Sequence, residues 1–152
     1  MPSTISPVGP RLTLGAVSAV DLMSDNPVSL QATATVQEAT ALLTDRGISA
    51  APVIDATGRP VGVVTKADVL IHDRERGRRV ALPEVAERFH DSTRVEEIMT
   101  PAVFSVATDT PAAKVVEQML QLKVHQLFVV DASGTLVGLI GALDVLRHLH
   151  PN

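Results

Sequence analysis

Ala51-Pro52-Val53-Ile54-Asp55-Ala56-Thr57-Gly58-Arg59-Pro60-Val61-Gly62-Val63-Val64-Thr65-Lys66-Ala67-Asp68-Val69-Leu70 returns, 76 residues further on, as Leu127-Phe128-Val129-Val130-Asp131-Ala132-Ser133-Gly134-Thr135-Leu136-Val137-Gly138-Leu139-Ile140-Gly141-Ala142-Leu143-Asp144-Val145-Leu146. Val53 meets Val129, Asp55 meets Asp131, Gly58 meets Gly134, and Asp68-Val69-Leu70 meets Asp144-Val145-Leu146. The register holds without a gap back to Met23, which meets Met99. The matches fall on turn glycines, strand cores and one acidic position. Chance matches in an Ala/Val-rich chain would be scattered instead. Self-similarity at a fixed period marks a repeated supersecondary unit.

The unit reads β-α-β-β-α. A short apolar stretch opens it, Pro27 to Leu30 and then Val103 to Val106. A helix follows, with Val36, Ala39, Leu42 and Leu43 on one stripe. Thr33 and Thr35 are both candidate caps, and Thr35 with Glu38 has capping-box spacing. In repeat two Thr110 is the expected cap, with Pro111 at the first helical position. Gly47 suits a left-handed helix end, and Lys123 is its less suitable counterpart. Two β-branched runs joined through Asp55-Ala56-Thr57-Gly58, and again through Asp131-Ala132-Ser133-Gly134, read as hairpins. A second helix is expected to start near Thr65 and near Gly141. Short helices at Val17 to Met23 and Val95 to Met99 lead into the repeats. One such unit is marginal alone, and two packed sheet against sheet close one core. The fold class is therefore mixed α/β (α+β), built from two repeats.

The expected organisation is an N-terminal arm over 1–16, repeat one over 17–73, a charged linker over 74–93 and repeat two over 94–150. The linker continues the charge run Asp73-Arg74-Glu75-Arg76-Gly77-Arg78-Arg79, read as solvated, with a short helix from Pro83 through Phe89.

Composition removes several functions. The 152 residues include no cysteine, so disulfides, thiolate metal sites and cysteine nucleophiles are excluded. A net charge of −4 and only three aromatics, Phe89, Phe104 and Phe128, make a nucleic-acid surface unexpected. No apolar run approaches the roughly 18 residues of a membrane span, and Met1 to Pro10 lacks signal-peptide character. A cytoplasmic location is expected. No Gly-x-Ser-x-Gly elbow and no P-loop appears, so the expectation is a binding protein and not an enzyme. His148 and His150 read as a solvated helix end, with no metal site.

The lead-ins Asp21-Leu22-Met23-Ser24 and Glu97-Ile98-Met99-Thr100, with Ala51 to Asp55, Gly58 and Gly62 to Asp68, resemble the cystathionine-β-synthase-type (CBS) domain pair. The resemblance runs from about Val17 to Leu149. It implies two β-α-β-β-α repeats related by a pseudo-twofold axis, in a freestanding pair that dimerises into a disc. It also implies an adenosine-containing regulatory ligand, of the AMP, ADP, ATP or S-adenosylmethionine class, in the cleft between the repeats, and no required cofactor.

The informative segment is Gly62 to Asp68. A helix that begins at Thr65 offers free N–H groups and a positive dipole end to an anion. Gly62 would let the backbone pass close. Thr65 would offer its hydroxyl to a phosphate, and Asp68 would accept from both ribose hydroxyls. The resemblance implies these roles. A plain capping box would account for the same two residues. In repeat two Asp144 is kept, but Gly141 replaces the hydroxyl, so unequal sites are expected. Many nucleotide-binding relatives carry His-Arg before the second strand. Here that position holds Ser49-Ala50 and His125-Gln126. With both arginines missing, charge would have to come from Lys66, Arg147 or the linker, and AMP or S-adenosylmethionine would fit better than ATP. Val28 and Ile48 are candidate adenine walls, and His125 a candidate phosphate contact. The expected partners are the adenosyl ligand, a second copy of the chain and an effector protein. The competing expectation is a ligand-independent interaction module with degenerate sites.

Overall fold

A computed structural model describes residues 11–79 and 91–151. Repeat one contains α1 (Ala19–Leu22), β2 (Ser24–Asp25), β3 (Leu30–Gln31), α2 (Val36–Arg46), β4 (Ala50–Ile54), β5 (Pro60–Thr65) and α3 (Lys66–Arg79). Repeat two contains α4 (Val95–Ile98), β6 (Ser105–Ala107), α5 (Ala112–Leu122), β7 (Gln126–Val130), β8 (Leu136–Gly141) and α6 (Ala142–Arg147). The two α/β repeats predicted from the sequence are both present, in the predicted element order. The helix expected from Pro83 to Phe89 lies outside the described residues.

Local chemistry sets the boundaries. Thr35 Oγ1 accepts from the Glu38 N–H at 3.1 Å while Glu38 accepts from the Thr35 N–H at 3.3 Å, the expected capping box. Gly47 ends α2 with φ 62°, and Lys123 ends α5 with φ 56°, a conformation that costs a side-chain-bearing residue more than glycine. Each hairpin turn is built on an aspartate. Asp55 Oδ1 accepts from the Thr57 N–H and the Arg59 N–H, and Asp131 Oδ1 accepts from the Ser133 and Thr135 N–H groups. The Thr57 hydroxyl also donates to Asp55, and it is the main reason that carboxyl lies below its ordinary pKa. The two turns meet: Leu136 N–H donates to the Gly58 carbonyl at 2.9 Å, and Arg59 Nε to the Ser133 carbonyl at 3.2 Å.

Three boundaries differ from the sequence reading. α5 begins at Ala112, with Pro111 outside it, and the Thr110 hydroxyl instead accepts from the Ala107 N–H at 3.1 Å. The residues Arg74 to Arg79, read as linker, continue α3 as helix. Within the stretch read as an arm, β1 (Leu12–Leu14) pairs antiparallel with β9 (Leu149–Pro151), which also carries His150 on a strand and not on a helix end. That pairing accounts for the shortness of α6: the chain turns at His148, whose carbonyl accepts from the Gly15 N–H at 2.6 Å.

The repeats exchange their lead-in segments. β2 pairs antiparallel with β8, giving the sheet order β2-β8-β7-β6. Thr100 bridges Val63 reciprocally, at 2.9 and 2.8 Å, beside the sheet β3-β4-β5. Ala19 and Leu22 are buried with Val106, Val115, Leu127, Val129 and Ile140 in the core of repeat two. Val95 is buried with Leu30, Val36, Leu43, Val53 and Val64 in the core of repeat one. The first N–H of α2 and that of α5 donate across as well, Val36 to the Thr93 carbonyl and Ala112 to the Val17 carbonyl, both at 3.0 Å. The aligned methionines and glycines belong to this exchange. A Cβ on Gly62 would meet Met99 Sδ and the Thr100 carbonyl oxygen, each at 2.7 Å, and one on Gly138 would collide with Met23.

A second tie holds α3. His72 Nε2 and Asp91 Oδ2 lie 2.9 Å apart, both well shielded, and Asp91 Oδ1 accepts from the Thr93 N–H at 3.1 Å. Burial alone would raise the Asp91 pKa, but the hydrogen bonds from His72 and Thr93 outweigh it and hold the carboxyl below its ordinary value.

Two outcomes follow from these contacts. Gly62→Ala should lower stability by about 1–3 kcal/mol in urea denaturation, because a backbone oxygen cannot move aside as a side chain can. Asp91→Asn should cost about 1–2 kcal/mol at pH 7, where the ionised form is hydrogen-bonded. A depressed carboxylate contributes its stability above the unfolded pKa of about 4 and loses it as pH falls through the folded value. The gap between wild type and Asp91→Asn should therefore close below about pH 4, measured by denaturation at stepped pH.

Candidate functional site

Strand register gathers the predicted residues at one end of the repeat-one sheet. β3 and β4 are parallel, with Leu30 opposite Val53, so both begin at the same end. β4 and β5 are antiparallel, with Ala50 opposite Thr65, so β5 finishes where they begin. α3 starts there. Its first N–H, on Lys66, donates to the Ser49 carbonyl at 2.9 Å. Ser49, Thr65, Lys66 and Asp68 are thus brought together, with Ile48 packed on the adjoining core and Val28 half-buried ahead of β3.

Thr65 and Asp68 form a reciprocal pair. The Asp68 N–H donates to Thr65 Oγ1 at 3.1 Å, and the Thr65 N–H donates to Asp68 Oδ2 at 2.9 Å. This is the capping geometry, and it does not exhaust either group. A hydroxyl that accepts still has its proton to give, and a carboxylate has a second oxygen. Among the described residues no group donates to Asp68 Oδ1. Both side chains are half-buried, so they remain within reach of a ligand.

Gly62 takes no part in this arrangement. It is buried against Met99 and Thr100, so its missing side chain serves the lead-in exchange and not the passage of a ligand. Lys66 is exposed and lines a groove between α2 and α3, with Thr40, Thr44 and Asp73.

The same sheet end in repeat two holds different chemistry. The His125 carbonyl accepts from the Ala142 N–H at 3.1 Å, as Ser49 does for Lys66. Asp144 Oδ2 accepts from the Gly141 N–H at 2.7 Å. Its Oδ1 lies 3.6 Å from Arg147 Nη1, an ion pair with no counterpart on Asp68. His148 Nδ1 contacts the Asp144 carbonyl at 2.7 Å. Ser49 and His125 therefore belong to two separate, quasi-equivalent places. Phe104 was missed in the sequence reading. It occupies the position equivalent to Val28, its carbonyl accepts from the Phe128 N–H at 2.9 Å, and it is 41% exposed. The offset of 76 that pairs Met23 with Met99 also pairs Val28 with Phe104. No group of three or more His, Asp or Glu side chains suited to a metal occurs among the described residues.

Known proteins share this architecture. The family model of the CBS domain matches residues 17–75 and 95–151. The chloroplastic CBS domain-containing protein CBSX1 of Arabidopsis thaliana is 33% identical over 131 residues, covering 76% of this chain and 56% of that protein. The structure of CBSX2 in complex with AMP superposes with a TM-score of 0.68 at 27% identity, covering 87% of this chain and 95% of that one. The cytosolic domain of the Mg2+ channel MgtE in complex with ATP gives a TM-score of 0.66 at 30% identity, covering 86% of this chain and 48% of that one. The chain thus spans little more than half of the Arabidopsis protein and about half of the channel domain. No helix among the described residues is long and apolar enough to cross a membrane.

Proposed function

The chain belongs to the CBS-domain family, and from that premise we propose that it is a ligand-sensing module that binds an adenosine-containing molecule at the Thr65–Asp68 end of the repeat-one sheet. The observation that carries the proposal is the reciprocal Thr65–Asp68 pair, which leaves a hydroxyl proton and one carboxylate oxygen facing a helix N-terminus. Asp68 Oδ1 accepts from the ribose diol, and Thr65 donates to the phosphate at the positive dipole end of α3. Val28 and Ile48 flank the adenine. CBSX2 with AMP and MgtE with ATP support the ligand class.

Charge narrows the ligand within that class. The His-Arg position is Ser49-Ala50, and Lys66 lines the outer groove. A helix end alone suits one phosphate better than three, so AMP or S-adenosylmethionine is preferred to ATP. The site binds and does no chemistry. It is a switch because β5, which delivers Thr65, is bonded to Thr100 in the lead-in of repeat two. A ligand with differential affinity for two settings of that joint shifts their populations. A second copy of the chain and an effector protein are the partners that read the shift.

One observation favours a second reading for repeat two. Gly141 offers no hydroxyl, and Arg147 already pairs with Asp144. That end serves as a structural counterpart of the site, with AMP bound once per chain.

Thermal shifts with AMP, ADP, ATP, S-adenosylmethionine and NAD test the proposal. A ligand at 100 times its dissociation constant adds about 2.7 kcal/mol of stability. AMP or S-adenosylmethionine should give the largest increment. Asp68→Ala should abolish that increment and Asp144→Ala should keep it. Removing Asp68 also removes a cap worth about 1 kcal/mol, so the increment is read against each variant's own ligand-free midpoint. No increment with any ligand at millimolar concentration would leave Thr65 and Asp68 as caps in an interaction module.

A further inference from the structure

The two hairpin turns meet as equivalents, yet the bonds between them are not equivalent. A Cβ on Gly58 would meet Thr135 Cγ2 at 3.0 Å, and one on Gly134 would meet Arg59 Nε at 3.3 Å. Each turn glycine thus faces the residue that follows the other. Both glycines are left-handed, with φ of 87° and 84°. The Asp55 and Asp131 N–H groups close the turns alike, on the Arg59 and Thr135 carbonyls. The next residues differ. Leu136 gives its N–H to the Gly58 carbonyl at 2.9 Å. Its equivalent is Pro60, which opens β5 and has no N–H to give to the Gly134 carbonyl. The bond that crosses on this side comes from a side chain instead, Arg59 Nε to the Ser133 carbonyl at 3.2 Å.

From this asymmetry we infer that the paired turns are a latch between the repeats, with the Gly58–Leu136 bond as its fixed side and Arg59 as its releasable side, standing in for the N–H that Pro60 lacks. The Leu136 donor is held in place by β8 itself. The Arg59 side chain is exposed, so water competes for the Ser133 carbonyl, and its bond opens without disturbing either hairpin. The latch sits at the root of β5. The same strand is bonded to Thr100 through Val63 and ends at Thr65. Arg59 is therefore a positioning residue, roughly 17 Å along the strand from Thr65 and out of reach of a ligand there. What the latch regulates rests on the ligand reading above. The Thr65–Asp68 pair and the Lys66–Ser49 bond are assembled with the latch closed, so a ligand that uses them favours the closed setting. By linkage, ligand and latch strengthen each other by the same factor.

Amide hydrogen exchange followed by NMR on the full chain tests the latch. Arg59→Met keeps the stem against Gly134 and removes the donor. Exchange at the Leu136 amide should speed up by about two- to tenfold, the range of one such hydrogen bond. The Asp55 and Asp131 amides, bonded inside their own turns, should keep their rates. Pro60→Ala in the Arg59→Met background restores an N–H opposite the Gly134 carbonyl and should return Leu136 to its wild-type rate. Unchanged Leu136 exchange in Arg59→Met overturns the latch. So does acceleration at Asp55 and Asp131 together with Leu136, which would mean that the turns themselves unravel. Failure of Pro60→Ala to restore the rate overturns the role assigned to Arg59. The ligand arm is read separately. AMP should slow Leu136 exchange in wild type, and Arg59→Met should weaken AMP binding by about two- to tenfold in titration calorimetry. Equal AMP affinity in the two chains overturns the coupling. If AMP binds neither chain, the ligand reading fails, and the exchange rates alone decide for or against the latch.

Discussion

The exchange of lead-in segments is the constraint on which the molecule depends. Ala19 and Leu22 sit in the core of repeat two, and Val95 sits in the core of repeat one. A fully buried side chain of this kind contributes roughly 1.5–3 kcal/mol. Neither repeat has a complete core by itself. The Val63–Thr100 bridge and the β2–β8 pairing close the same gaps in hydrogen bonding. Two units of about 50 residues thereby become one cooperative body. Gly62 and Gly138 are glycines because that closure brings Met99 and Met23 onto the strands.

Much of the fold was legible because it follows from short-range rules. The Thr35–Glu38 box, Gly47 and the two Asp-to-Gly turns each announce themselves within four or five residues. The exchange did not, because nothing within Val17 to Met23 says which sheet that segment will join. The same limit explains the misreading of Gly62. A glycine before Thr65 suits a close ligand and a close methionine equally well, and only the tertiary partner distinguishes them. Arg74 to Arg79 read as solvated linker because charge dominates the run. The helix continues there, held to the re-entering chain by His72 and Asp91, which are 19 residues apart in sequence.

The candidate site was legible as residue types, and less so as a place. Thr65, Asp68 and Ser49 converge because parallel β3 and β4 start where antiparallel β5 ends. The Lys66 backbone stays with them through its bond to Ser49, but its side chain does not. Its side chain lines the outer groove, so the local positive potential comes mainly from the helix end. Phe104 does not stand out in the sequence, because repeat two lacks the Thr–Asp pair that marks the equivalent end of repeat one. Its exposure makes the repeat-two end more aromatic than its partner, although its hydrogen-bonding chemistry is poorer.

On the reading proposed above, two differences disfavour ligand binding at the repeat-two end. The hydroxyl missing at Gly141 is worth roughly 1 kcal/mol. Arg147 is 71% exposed on its side chain, so its pairing with Asp144 falls in the range of surface ion pairs, about 0–1 kcal/mol. Both differences disfavour the repeat-two end, in keeping with the single AMP per chain proposed above. A joint that must report ligand level benefits from this asymmetry. A ligand at the proposed repeat-one end would load β5 and its bond to Thr100, whereas the lead-in β2 pairs with β8 in the other sheet.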